Sequence, residues 1–160
     1  MRFVHTELKR DKWVKPTIEA ASPDAAVKAI QELIKDLDRE MVVTLHLSNN
    51  CRVISAEVSA IGVMDEACLS PAEVLRTALL TGCRSIILLH AHPSGNAKAS
   101  DEDIQMTKKI AMAADLLSIK FLDHIVIGGD AWSSIKLQEP EIFERRDVVE
   151  LIDYAAEGRG

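Results

Sequence analysis

The residues best suited to chemistry are crowded into one stretch, His90-Ala91-His92-Pro93-Ser94-Gly95-Asn96-Ala97-Lys98-Ala99-Ser100-Asp101-Glu102-Asp103, which reads H-x-H-x7-S-x2-D. Two histidines at i and i+2 of an extended chain project to the same side, so His90 and His92 can clasp one ion. Pro93, Ser94 and Gly95 permit a sharp reversal, after which a first helical turn can present Asp103 as a third ligand, of oxygen type. Three protein ligands leave one tetrahedral position for water, the arrangement of a catalytic rather than a structural site. Imidazole with carboxylate suits zinc, and by ligand type alone manganese and iron stay open.

Each element also has a plain structural reading. A single histidine at the end of an apolar strand is more often hydrogen-bonded than metal-bound. A serine followed three residues later by an acid is an ordinary helix cap, so Ser100 and Asp103 taken alone need only start a helix. The conjunction favours the site: two histidines leave a buried strand, and the serine-aspartate pair opens the helix that follows. Cap and site roles are compatible.

The elements that must position these residues follow from local pattern. Ser85 to Leu89 is a continuous apolar run of strand length that delivers His90 to its end. A loop over 91–99 leads to a helix from Ser100 or Asp101, with Ile104, Thr107, Ala111, Ala114 and Leu117 as its inward stripe. Upstream, Ser22-Pro23 opens a helix faced by Ala26, Ile30, Leu33, Ile34 and Leu37. Met41–Leu47 and Arg52–Ile61 form a hairpin around Ser48-Asn49-Asn50. Ser70-Pro71-Ala72-Glu73 caps a helix to about Leu80 that Gly82 closes. Phe121–Ile127 is a further strand ended by Gly128-Gly129. The order helix, two strands, helix, strand, helix, strand predicts an α/β fold with a mixed β-sheet flanked by helices. Residues 1–22 read as an N-terminal arm, 23–138 as the domain, and 139–160 as an acidic, helix-prone tail.

The 160 residues, 48% of them hydrophobic, suit one such domain. Cys51, Cys68 and Cys83 form no CxxC pair and read as thiols in a reducing compartment. No stretch approaches the roughly 20 apolar residues that cross a bilayer, so no membrane partner and a cytoplasmic location are expected. The net charge of -6 argues against a tight, sequence-independent grip on DNA, which rests on Lys and Arg displacing counterions.

The spacing around His90, together with HAHPSGNAKASDEDI and the later LDHIVIGG, resembles the RadC-like branch of JAB1/MPN (JAMM) metalloprotease domains over about residues 23–136. The resemblance implies the cytidine-deaminase-like architecture of that family and Zn2+ held by His90, His92 and Asp103. It implies an oxyanion-stabilising role for Ser100 and a general acid/base at Glu40, in the segment Asp38-Arg39-Glu40-Met41-Val42. Glu57 is the nearest competitor for that role, with Glu66 and Glu73 more distant. His124, in Leu122-Asp123-His124-Ile125, reads as a packed or ligand-orienting residue. The implied activity is hydrolysis of amide or isopeptide bonds in a peptide or protein conjugate.

Two rival readings stand beside it. One is a RadC-type nucleic-acid-associated DNA-repair accessory protein with a non-catalytic zinc site, favoured by the basic cluster Arg2, Lys9, Arg10, Lys12 and Lys15. The other is a partner-binding scaffold, although such domains typically lack the ligands kept here. Full-length RadC proteins carry a helix-hairpin-helix ahead of the JAB domain, which residues 1–22 are too short to hold, so DNA binding is not expected. Titration with duplex DNA at ~150 mM salt should detect little binding. Sequence-specific nanomolar affinity there would overturn this expectation and favour the accessory protein.

Overall fold

The apolar run that the sequence marks as buried becomes the middle of a five-stranded sheet. The structure, a computed structural model, describes residues 19–34, 38–62 and 69–145, with only the backbone at 32 and 33. Among them the elements are α1 (Pro23–Ile34), β1 (Met41–Leu47), β2 (Val53–Ile61), α2 (Pro71–Thr81), β3 (Ser85–His92), α3 (Asp101–Leu116), β4 (Lys120–Gly128), β5 (Ala131–Ser134) and α4 (Ile135–Gln138), then a 3-10 turn over Pro140–Phe143. The strand order is β2-β1-β3-β4-β5. Only β3 and β4 run parallel, as a connection through the intervening helix α3 requires; the other pairs are antiparallel. This is the mixed α/β sheet that the pattern predicts.

Alternation along the strands assigns the faces. Ile86 and Leu88 of β3 join Val74, Leu75 and Ala78 of α2 and Ile110, Ala111 and Ala114 of α3 in one core. Ile87 and Leu89 join Met41, Val43 and Leu45 of β1 and Ala26 and Ile30 of α1 in the other. His90 and His92 continue the parity of Ile86 and Leu88, so both point to the side of the sheet that α3 covers.

Two local expectations need correction. The strand does not stop at Leu89: β3 continues through His92, because Ala91 still pairs with Met41 and Ile127, and His92 with Gly128. On α3 the buried stripe is Asp103, Thr107, Ile110, Ala111 and Ala114, while Leu117 is 43% exposed at the C-cap. The short strand β5 and the helix α4 have no sequence run long enough to announce them. Of the remaining sequence readings, Leu37, Glu66, Cys68, the basic cluster at 2–15 and the tail beyond 145 lie outside the described residues, and so does the side chain of Leu33.

The caps form as the residue types require. Ser22 Oγ accepts from Ala25 N (3.2 Å), Ser70 Oγ accepts from Glu73 N (3.4 Å), and Gly82 closes α2 at φ 65°. Glu73 does not complete a capping box; its carboxylate pairs with Arg76 at 3.1 Å, one helical turn on.

Beneath α2 the hairpin carries a polar strip. Thr44 Oγ1 and Ser59 Oγ are 2.6 Å apart, His46 Nδ1 bonds Ser55 Oγ at 2.9 Å, and Thr77 Oγ1 donates to Glu57 Oε1 at 2.8 Å. Burial pushes the His46 pKa down from 6.5 to about 4, so the ring folds neutral. Between those two values the unfolded chain binds a proton that the folded chain refuses. The His46 contribution to stability is therefore intact above pH 6.5 and is lost as pH falls toward 4, at up to about 1.4 kcal/mol per pH unit. His46→Gln keeps a partner for Ser55 and removes the titration. Its Tm, measured metal-free from pH 7 to 4.5, should fall less steeply than the parent's; equal slopes would refute the assignment.

Candidate metal centre

The site lies where β3 ends, between the start of β1 and the first turn of α3. Ser100 and Asp103 form the expected helix cap. Ser100 Oγ accepts from Asp103 N at 3.1 Å, while Asp103 Oδ2 accepts from Ser100 N at 2.8 Å and from Ser100 Oγ at 2.7 Å. This cap faces inward: Asp103 is 2% exposed, and its other oxygen lies 2.7 Å from His90 Nδ1. Burial pushes the Asp103 carboxyl up, but the hydrogen bonds from His90 and Ser100 outweigh that and hold it well below the ordinary carboxylate range. It is an acceptor only, so His90 donates through Nδ1–H and keeps its lone pair on Nε2.

His92 reaches the same state by a different route. Its Nδ1 donates to the carbonyl of Asn96 at 3.0 Å, which leaves Nε2 as the lone-pair nitrogen, 3.7 Å from Asp103 Oδ2. The loop returns close enough for this because Gly95 takes φ 78° and because Gly128 has no side chain. A Cβ on Gly128 would collide with the backbone of Gly95, Asn96 and Ala97. Ser133 Oγ adds a bond to the Ala97 carbonyl at 2.5 Å.

Glu40 precedes β1 by one residue. Because Val42 pairs with His90, the start of that strand lies beside the two histidines. Glu40 Oε2 is 3.6 Å from His90 Nε2 and its side chain is 36% exposed. Glu57 is not beside it: it lies opposite Thr44 on β2, bonded to Thr77. Glu73 is on α2 with Arg76. The structure thus brings His90, His92, Asp103, Ser100 and Glu40 together and sets Glu57 and Glu73 apart.

Donor atoms within 4.8 Å of one another form two triads among the described residues, Glu40-His90-His92 and His90-Asp103-His124, and either could hold a metal ion. The second includes a residue the sequence reading treats as packing. His124 is fully buried, stacked on His90 with ring centroids 6.1 Å apart and planes 18° apart. Burial, and next the neighbouring His90, lower its pKa to about 3. Thr107, which the sequence shows only as a core position, connects it to the helix. The threonine hydroxyl donates to the Asp103 carbonyl at 2.6 Å and lies 2.7 Å from His124 Nδ1. The sequence signal for this link is slight, a polar residue one turn after Asp103 on the buried stripe. Asn96 and Gly128 give none without the fold.

Comparison with known proteins identifies the family. A family model described as RadC-like JAB domain matches residues 20–140. A UPF0758 protein of Shouchella clausii is 36% identical over 128 residues, covering 80% of this chain and 55% of that protein. Another from Actinobacillus pleuropneumoniae is 39% identical over 112 residues, 69% of this chain and 51% of that protein. An archaeal one, from Methanosarcina acetivorans, is 34% identical over 121 residues, 76% and 53%. The chain spans about half the length of the curated relatives it matches. No helix among the described residues is long and apolar enough to cross a membrane.

Gly128→Ala tests how the loop is positioned. The added methyl must push the backbone at 95–97 away, so a loss of roughly 1–3 kcal/mol is expected, as for overpacked sites. The His92 Nδ1–H resonance should also lose its hydrogen-bonded shift. A variant with unchanged Tm and an unchanged His92 resonance would show that the close approach does not hold the loop.

Proposed function

This chain belongs to the RadC-like JAB domain family, and on that premise we propose that it is a zinc-dependent hydrolase of amide or isopeptide bonds, acting on a peptide or protein conjugate. One observation carries the reading: His90 and His92 stand side by side with their Nδ1 atoms engaged, a buried carboxylate lies against both rings, and a partly exposed glutamate lies 3.6 Å from His90 Nε2. The donor set fits zinc. His90 Nε2 is buried without a hydrogen-bond partner, a state that costs roughly 1–3 kcal/mol unless something accepts the lone pair. Two imidazoles and one carboxylate are the ligand types of an open zinc site, with His90, His92 and Asp103 as the holders. When bound, such an ion acidifies water and polarises a carbonyl.

The protein's own groups supply the rest. Glu40 is exposed enough to meet substrate and lies 3.6 Å from His90 Nε2, close enough to act on a group bound beside that ring. Its carboxylate takes a proton from the attacking water as the C–O bond forms, and delivers it to the leaving nitrogen as the C–N bond breaks. Asp103 fixes the His90 ring and the Asn96 carbonyl fixes His92, so both present the lone pair without reorganisation. Ser100 has a single hydroxyl proton, which in the free site goes to Asp103 Oδ2. With Asp103 holding a metal, that bond would be less needed and the hydroxyl would be available to donate to a developing oxyanion.

Catalysis and metal binding separate experimentally. Glu40→Gln keeps size and shape but cannot carry a proton as a carboxylate does. It should retain zinc and the parent Tm while losing turnover of a cleavable peptide by roughly 100-fold or more. His90→Ala should lose both zinc and turnover, and Glu57→Gln should keep both. A fully active Glu40→Gln would refute the general-base assignment; zinc at parental occupancy in His90→Ala would refute the ligand set.

A further inference from the structure

His124 has more than a packing role. Thr107 has one hydroxyl proton and gives it to the Asp103 carbonyl, so toward His124 it can only accept. His124 is therefore protonated on Nδ1, and its lone pair is on Nε2. That nitrogen is buried and meets no hydrogen-bond partner among the described residues. His90 Nε2 is in the same condition, and the two rings stack nearly parallel across the Asp103 side chain's neighbourhood. His46 also buries an unmet Nε2, so what sets His124 apart is that a donor atom of His124 lies within 4.8 Å of donor atoms of His90 and Asp103, a grouping His46 does not share among the described residues.

The register explains how this arises. Leu88 pairs with His124 and His90 with Val126, so the two histidines are diagonal neighbours on the same face of adjacent parallel strands. The first turn of α3 closes over that diagonal and brings a carboxylate oxygen of Asp103 within 4.8 Å of a ring nitrogen of each. His90, Asp103 and His124 are 2%, 2% and 0% exposed. The outer triad of Glu40, His90 and His92 is in part open to solvent, with the Glu40 side chain 36% and that of His92 12% exposed.

We propose that His124 is a metal-ligating residue, forming with His90 and Asp103 a second, fully buried position for a borderline divalent cation such as zinc, behind the open outer position. The inference rests on the reading of this centre as a metal site and extends it. His90 belongs to both triads, so an ion entering from solvent meets Glu40, His90 and His92 first and His124 last. In the inner position it is shielded from water and substrate, which makes it a resting place rather than a reactive one. Its donors, two imidazoles and a carboxylate, are those of a zinc or cobalt site. The other group able to meet the His124 lone pair is a buried water, which would donate a proton to it.

The unaltered protein gives the cleanest test. Metal-free, 15N-labelled protein is loaded with 113Cd2+ and the imidazole nitrogens are observed by NMR. Direct cadmium coupling at His124 Nε2 is expected, together with coupling at His90. Coupling at His90 and His92 with none at His124 would overturn this inference and leave the outer site standing; coupling at no histidine would overturn both. Zinc competition with a chromophoric chelator supplies a second readout. His92→Ala should still bind one equivalent, and His92→Ala/His124→Phe should bind more weakly than His92→Ala by more than the roughly 10- to 100-fold that losing a merely orienting group costs. Equal affinity of the two variants, with the double variant folded by its metal-free Tm, would count against ligation by His124.

Discussion

An ionised carboxylate removed from water has to be met by donors, and Asp103 recruits them from two elements at once: Nδ1–H of His90 from β3, and the amide and hydroxyl of Ser100 from the turn before α3. Satisfying one side chain thereby locks the helix start against the strand end. If α3 began one residue later, the cap would remain possible but the carboxylate would rotate by about 100° around the helix, away from His90. The same three bonds set the tautomer of His90. Strand pairing, cap and protonation state are thus consequences of one buried group.

How much of this is legible in the sequence depends on separation along the chain. His90, His92, Ser100 and Asp103 lie within a single strand-turn-helix unit, so their spacing and local pattern are enough to bring them together. Glu40 is distant, and only the family resemblance points to it; the physical reason for its placement is the pairing of Val42 with His90, which no local pattern reveals. His124 and Thr107 were harder still. Their partnership depends on the offset between β3 and β4, including the register shift between Ile86 and Ile87, and a one-residue slip would turn His124 to the opposite face. Gly128 reads as a strand terminator, yet its use is to let a neighbouring loop touch the sheet.

The competitor Glu57 shows why residue type alone does not locate a general base. It shares the hairpin with Glu40, but it lies in the polar strip under α2, where its carboxylate accepts from Thr77. Strands β1 and β2 turn Thr44, His46, Ser55 and Glu57 toward the same helix-covered face as the site, so polarity there is not confined to the chemistry. What distinguishes Glu40 is its position at the open end of β1 rather than in the span that α2 covers.

Three histidines on this face, His46, His90 and His124, bury an Nε2 with no partner among the described residues. Each such nitrogen costs roughly 1–3 kcal/mol, and the total is a sizeable fraction of the stability of an ordinary domain. The fold tolerates this because apolar side chains fill both faces of the sheet, against α2 and α3 on one side and α1 on the other. His46 lies away from the site, so an orphaned ring nitrogen is not by itself a sign of metal. At His90, His92 and His124 a carboxylate, a loop carbonyl and a threonine hydroxyl each engage Nδ1, as Ser55 does at His46. What separates the site from His46 is therefore convergence rather than the choice of nitrogen: among the described residues only Glu40, His90 and His92, and His90, Asp103 and His124, bring donor atoms within 4.8 Å of one another, and a metal ion is the ligand that such a grouping suits.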